Sequence, residues 1–318
     1  MTKVEIRKLL KERYYVASGK SNRQIKKIRR RNNVTGSIFV FTPILILFIY
    51  VFAAFGIAIW LSFYAGRLDP SLSKIRYVGW ANWGLLFNQQ KSIFLIAIKN
   101  TFIYASITTG FNIIGALIIS SILNSKTVKK KNIFMTFYFL PQVTSGIAVA
   151  IIFIKLTGTN SFFGFNIIKN PSDAIWIMII SSVWTGISGG LVTFNTAFSG
   201  IDSTQYESAS LDGAGTFKKF LRITVPSLGP ILAYTVVTSI IGGMGVFDQA
   251  YVMSVAGGDS SSVMTWTLLG FARIIGLPNS GSGFAPNVGL GVATLVLLGI
   301  TIFVLTRIAN IIRPLERK

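Results

Sequence analysis

The sequence of 318 residues contains no cysteine and no histidine. Disulfides, thiolate chemistry, imidazole bases and the usual zinc or haem ligand sets are therefore excluded. Acid is scarce as well: ten Asp and Glu stand against 31 Lys and Arg, a net charge of +21. Catalysis would have to rest on those few carboxylates, and no two of them pair at helical spacing within an apolar run. The phosphate-binding pattern G-x-x-x-x-G-K-[ST] is also missing, so the chain has no ATP site of that kind.

What the sequence has in quantity is apolar surface. Hydrophobic residues make up 51% of it and charged residues 13%, the balance of an integral membrane protein. Crossing roughly 30 Å of hydrocarbon at about 1.5 Å per residue takes about 20 apolar residues. Six segments qualify: Gly36 to Tyr64, Ile93 to Leu123, Ile133 to Leu156, Ala174 to Phe198, Leu228 to Val255 and Val288 to Ile308. They predict an all-α integral membrane protein with six transmembrane helices. The first is too long for a signal-peptide core and lacks a small-residue cleavage site, so it reads as a permanent helix. Pro43 and Pro141 predict kinks.

Charge supplies the orientation. Twelve of the Lys and Arg fall within residues 1–35, in runs such as KSNRQIKKIRRRNN. Six spans put both termini on one side; that side carries 23 basic residues and the other eight. The positive-inside rule then places both termini and residues 200–226 in the cytoplasm. Such clustering argues against nucleic acid as the partner behind the net charge, and the basic run reads as a topology signal that touches anionic lipid. The expected organisation is a basic tail over 1–35, a six-helix domain over 36–308 and a short tail over 309–318. On the outer side, Trp80 and Trp83 in YVGWANWGLLF suit headgroup depth.

Ion-coupled carriers place acids or bases in mid-membrane. Here Lys99 and Lys155 fall near helix ends, from which they snorkel. Asp248 falls late in the fifth span, as a helix-end or gate group rather than a proton relay.

One polar stretch interrupts the second half, YESASLDGAGTFKKFLRITVPSLGP at 206–230. Thr204 and Glu207 have the spacing of a capping box. Gly213 after Asp212 is suited to a left-handed bend, and Pro226 is expected to end the second helix. The prediction is helix, bend, helix. Ser208, Ala209, Ala214 and Gly215 would let a partner's backbone come close. In the second piece Phe217, Phe220 and Leu221 share a face and Lys218, Lys219 and Arg222 lie elsewhere, as in an interfacial helix.

The order Glu207, Ser208, Ala209, two residues, Asp212, Gly213, Ala214, eight residues, Ile223, one residue, Val225, Pro226 resembles the EAA loop of ABC-importer permeases of the maltose-type sugar family. That pattern is E-A-A, two residues, D-G-A, eight residues, I-x-L-P. Ser208 replaces the first Ala and Val225 the Leu. VGWANW and FDQAYVMSVAGG at 247–258 are similar to shorter segments of the same family; Ser254 replaces its usual Thr, and Asp259 stands where Pro often follows the Gly pair. The resemblance implies a type I ABC importer permease fold and a place in the bacterial plasma (inner) membrane. It implies as partners a second homologous permease, two cytoplasmic ATPase subunits and an extracellular or periplasmic solute-binding protein. The chain itself would bind no cofactor and no metal, ATP and Mg being used by the ATPase subunits.

In that frame Glu207 and Asp212 orient and cap a coupling helix, Gly213 sets its bend, and Ala209 and Ala214 permit close docking, with Ser208 and Pro226 completing the motif. The solute would cross beside the spans flanking the loop. One candidate wall is Ser182, Trp184, Thr185, Gly186 and Gly189; the other is Ser239, Gly242, Gly243 and Phe247, with Asp248 beyond. Small residues at such spacing also let membrane helices pack closely, and both readings stand at this point. A sugar or oligosaccharide is the expected solute, with another small solute such as a glycerol phosphate ester as the alternative within the class. An ion-coupled secondary carrier is the alternative outside it.

Overall fold

The computed structural model describes residues 22–67, 74–125, 128–160, 170–256, 260–276 and 285–312. The expectations for residues 1–21, for Gly257, Gly258 and Asp259, and for 313–318 lie outside these. The chain divides into two units, Met1–Ile57 and Ala58–Lys318. The described part of the first is helix α1, which runs Asn22–Leu61 and so ends inside the second. It begins well before the expected Gly36, since no proline or glycine precedes that residue from Asn22 on. Its portion Asn33–Leu61 is long and apolar enough to cross a membrane, and the helix continues through Pro43.

The second unit opens with a two-stranded antiparallel ribbon, β1 (Tyr64–Ala65) against β2 (Arg76–Tyr77). The short helix α2 (Ala81–Phe87) follows. Asn82, buried, donates from Nδ2 to the carbonyls of Ser62 at 2.8 Å and Tyr64 at 2.7 Å. Its Oδ1 accepts from Asn287 Nδ2 at 3.3 Å, which ties the ribbon to the base of the last span. Trp80 is exposed and meets Phe63 edge to face at 5.1 Å.

Helix α3 is Lys91–Leu123. The third expected span is two helices, α4 (Lys131–Val143) and α5 (Gly146–Asn160), that meet at 94°. Pro141 lacks an N–H and its ring opposes the carbonyl four residues back, and the helix ends within a turn of it. A kink was expected there; the structure makes it a near right angle. A 3-10 turn at Pro171–Asp173 leads into α6 (Ala174–Phe198). The polar stretch forms α7 (Ser203–Leu211), α8 (Thr216–Lys219), a π turn at Phe220–Thr224 and α9 (Val225–Ser227). The fifth span is α10 (Gly229–Met244) and α11 (Asp248–Val255). Short helices α12 (Ser260–Val263) and α13 (Trp266–Ile275) precede the last span, α14 (Val288–Ile312). Counting the bent pair as one, the described residues hold six segments long and apolar enough to span a membrane.

Inside the second unit, α3 and α6 form the centre, with Ala97, Met178, Met244, Met253, Leu268 and Ala272 fully buried around them. Without water in hydrocarbon, every broken helix must satisfy its backbone internally. Asn100 does this for α12, donating to the carbonyls of Ser261, Ser262 and Met264. Thr101 Oγ1 accepts from the Trp266 N–H at 2.8 Å, and Trp266 Nε1 donates to the Thr294 carbonyl at 2.7 Å. These bonds hold α13 between α3 and α14.

Candidate functional site

A cavity of about 620 Å³ lies between α3, α6, the bend of the third span and the break in the fifth. From α3 come Tyr104, Thr108 and Asn112, spaced four apart and therefore on one face. From α6 come Gly186, Gly189, Gly190 and Thr193. The bend brings Gln142 and Gly146, and the fifth span adds Thr235, Thr238, Ser239, Gly242, Gly243, Phe247, Asp248 and Gln249. Most lining residues are small or carry uncharged hydrogen-bonding groups, and Ile113, Val246 and Phe247 are the larger apolar members. Asp248, exposed in the first turn of α11, is the one charged residue among the described lining residues.

Gly186 lies directly beneath Asn112. A Cβ there would sit 2.1 Å from Asn112 Nδ2, so the amide occupies the space a side chain would take. Asn112 Oδ1 is buried and has no hydrogen-bond partner in the structure, which leaves an acceptor at the cavity wall. The fifth span opens between Gly245 and Phe247, and the Val246 carbonyl freed there accepts from the hydroxyls of Thr265 and Thr267. Behind the break, the Tyr104 hydroxyl lies 2.7 Å from Ser182 Oγ and 3.2 Å from Gln249 Oε1. Ser182 donates to Gln249 as well. This buried triad joins α3, α6 and α11. Phe247 stacks on Tyr251 at 5.7 Å and meets Phe271 edge to face at 4.7 Å.

The structure therefore brings together Gly186, Gly189, Ser239, Gly242, Gly243, Phe247 and Asp248 from the two expected walls. Ser182 lies on the same helical stripe one turn further along, where Tyr104 and Gln249 cover it. Trp184 is rotated away, half exposed, and pairs with Phe153 at 5.8 Å. The Thr185 hydroxyl bonds back to the carbonyls of Ser181 and Ser182. None of these three lines the cavity. The α3 stripe has a signal in the sequence, polar residues four apart in an apolar span. Gln142 carried no such signal, because the bend that delivers it is a tertiary feature.

Residues 200–226 are largely exposed. Helix α7 is capped by Asp202, whose Oδ1 accepts from the Thr204 N–H at 3.0 Å. That bond holds the Asp202 carboxyl below the usual carboxylate range. The expected capping box is thus corrected: Thr204 lies inside the helix and Asp202 is the cap, its carboxylate accepting from the N–H two residues on as an N-cap Asp does. Glu207, Ser208 and Asp212 are exposed, Ala209 and Ala214 half-buried. Gly213 adopts φ +70°, the left-handed bend expected, and the Ala214 N–H closes the turn on the Ala209 carbonyl at 2.9 Å. Pro226 does not stop the chain. It sits in α9 directly after the π turn, inside a helical path that continues through Leu228 into α10. The interfacial helix is also shorter than expected: α8 covers only Thr216–Lys219, Phe217 and Leu221 are exposed, and Phe220 turns into a cluster with Phe194 and Leu228.

Fold and sites together define a multi-pass membrane permease: several spans around a polar cavity, with an exposed loop at the root of the fifth. Residues 113–318 match the family model described as binding-protein-dependent transport system inner membrane component. The chain belongs to that family. It is 29% identical over 254 residues to the lactose transport system permease protein LacF of Rhizobium radiobacter, covering 76% of this chain and 83% of that one. To the arabinooligosaccharides transport system permease protein AraP of Bacillus subtilis it is 34% identical over 192 residues, 57% of this chain and 60% of that one. Among solved structures, a chain of a bacterial ABC transporter involved in import of the acidic polysaccharide alginate superposes with a TM-score of 0.69. That match has 19% identity, spans 93% of this chain and 99% of the other, and establishes the type I importer permease fold.

Proposed function

We propose that this chain is the permease subunit of an ATP-driven ABC importer for a neutral sugar or oligosaccharide. The carrying observation is the cavity, whose described lining holds hydroxyls, amides, glycines and aromatic rings with one carboxylate and no Lys or Arg. Its volume falls in the range of about 300–1,000 Å³ common for small-molecule sites. Sugars bind through such uncharged donors and acceptors beside aromatic faces, whereas a phosphate ester or a uronate would meet Asp248 and find no cation. A second homologous permease closes the open side of the cavity, and an extracellular binding protein delivers the solute.

Energy comes from two cytoplasmic ATPase subunits, which use ATP and Mg. Residues 200–226 dock on one of them, with Glu207 and Asp212 outward, Ala209 and Ala214 allowing close approach and Gly213 setting the bend. Both termini then face the cytoplasm, and the basic residues of 1–35 fix that topology and contact anionic lipid. The test is affinity purification from membranes, followed by uptake into proteoliposomes. A second permease and an ATPase should co-purify, and ATP should drive uptake of neutral oligosaccharides in preference to phosphate esters. Uptake by the chain alone, or full activity after Glu207→Lys with Gly213→Pro, would overturn the proposal.

A further inference from the structure

We infer that the hydrogen bond between Tyr206 and Thr224 is the strut that carries movement of the docking helix α7 to the cavity walls. The inference rests on the coupling role proposed for residues 200–226. The covalent route from α7 to the fifth span is soft, since it runs through the left-handed Gly213 and the extended Gly215. The Tyr206 hydroxyl bypasses it. It lies 2.8 Å from Thr224 Oγ1, eighteen residues on in the chain. Thr224 is 2% exposed, although its neighbours Leu221, Arg222 and Pro226 are all exposed.

Thr224 closes the π turn at Phe220–Thr224, a rare conformation that recurs at functional sites. From Thr224 the path into the core is short. Its carbonyl accepts from the Leu228 N–H at 3.1 Å. Leu228 packs with Phe194, Ala116 and Leu117, which belong to α6 and α3. Phe194 directly follows the cavity residue Thr193, and α10, which begins after Leu228, carries Thr235 and Thr238. A displacement of α7 therefore reaches two walls of the cavity through one part-buried hydroxyl pair. Lys219 Nζ, donating to Ser210 Oγ at 2.7 Å, keeps the two arms of the loop together on the exposed side.

Tyr206 and Thr224 are thus positioning residues, and the assay must read coupling rather than folding. The chain has no native cysteine, so Ser239→Cys makes a single reporter in the cavity. The importer purified with its ATPase is labelled with a cationic methanethiosulfonate reagent, nucleotide-free and trapped with ATP and vanadate. Label on this chain is followed by mass. In the parent the two labelling rates should differ. Tyr206→Phe and Thr224→Val should each shrink that difference about fivefold, the equilibrium factor of one intramolecular hydrogen bond, while ATP hydrolysis continues. Thr224→Ser should retain the parent's difference, and the double variant should lose no more than either single one, because both remove the same bond. Co-purification of the ATPase with each variant confirms assembly. A parent-like difference in assembled Tyr206→Phe and Thr224→Val overturns the strut alone. No nucleotide-dependent difference in the parent overturns the coupling reading beneath it.

Discussion

Gly242 and Gly243 stand side by side on α10, and alanine should act on them in opposite directions. A Cβ at Gly243 would lie 2.9 Å from Ala105 Cα and 3.0 Å from Ala105 Cβ. Carbon atoms prefer about 3.5–4.0 Å. The obstacle is backbone of α3, so the helices must part or bend, and overpacking of this kind costs about 1–3 kcal/mol. Alanine returns at most about 1 kcal/mol of helix propensity. At Gly242 nothing lies within 4 Å of the added Cβ, so the propensity gain stands without the clash. The two adjacent variants should therefore differ by about 2 kcal/mol. Thermal unfolding of the purified importer, followed by loss of the monodisperse peak on size exclusion, gives the order. Gly243→Ala should melt below the parent and Gly242→Ala at or above it. Adding Ala105→Gly removes one of the two short contacts and should return part of the loss. If Gly243→Ala melts as high as Gly242→Ala, the close approach of α3 and α10 is wrong.

Asn82→Ala removes the donor shared by Ser62 and Tyr64 and should cost about 2 kcal/mol or more from the stranded carbonyls, measured in the same unfolding assay. Gly213→Ala puts a Cβ at φ +70°, a penalty of about 1–2 kcal/mol; because the loop is exposed, ATPase co-purification should fall while the unfolding temperature stays near the parent's. Asp202 titrates below its ordinary value because it accepts from Thr204. Its stabilisation of α7 is fully present above the unfolded carboxylate pKa and is lost as pH falls through the depressed folded value. Protease resistance of α7 should accordingly be flat near neutrality and fall only in acid, and Asp202→Asn should flatten that acid fall.

The six spans were legible because hydrocarbon thickness and backbone hydrogen bonding set a simple length and polarity rule. The loop was legible because its residues keep the family's spacing and Gly213 is one of the few types that accept a left-handed turn. The cap was misassigned because Asp202 and Thr204 are both good caps, and local pattern does not say which one the chain uses. Pro226 differs for a similar reason: a proline ends one helix and is carried within another, and here the helical path runs on from the π turn before it.

Composition, charge asymmetry and the loop motif by themselves pointed to a multi-pass membrane permease. That conclusion rests on local chemistry. The cavity was decided elsewhere. Gly242 and Gly243 are indistinguishable in sequence, yet one packs against Ala105 and the other faces open space. Tyr104, Asn112 and Gln142 became cavity groups only when α3 crossed α6 and the third span turned through 94°. Tyr206 met Thr224 because the loop folds back on itself. A helix presents all its faces in sequence, and tertiary packing decides which of them is left facing a cavity.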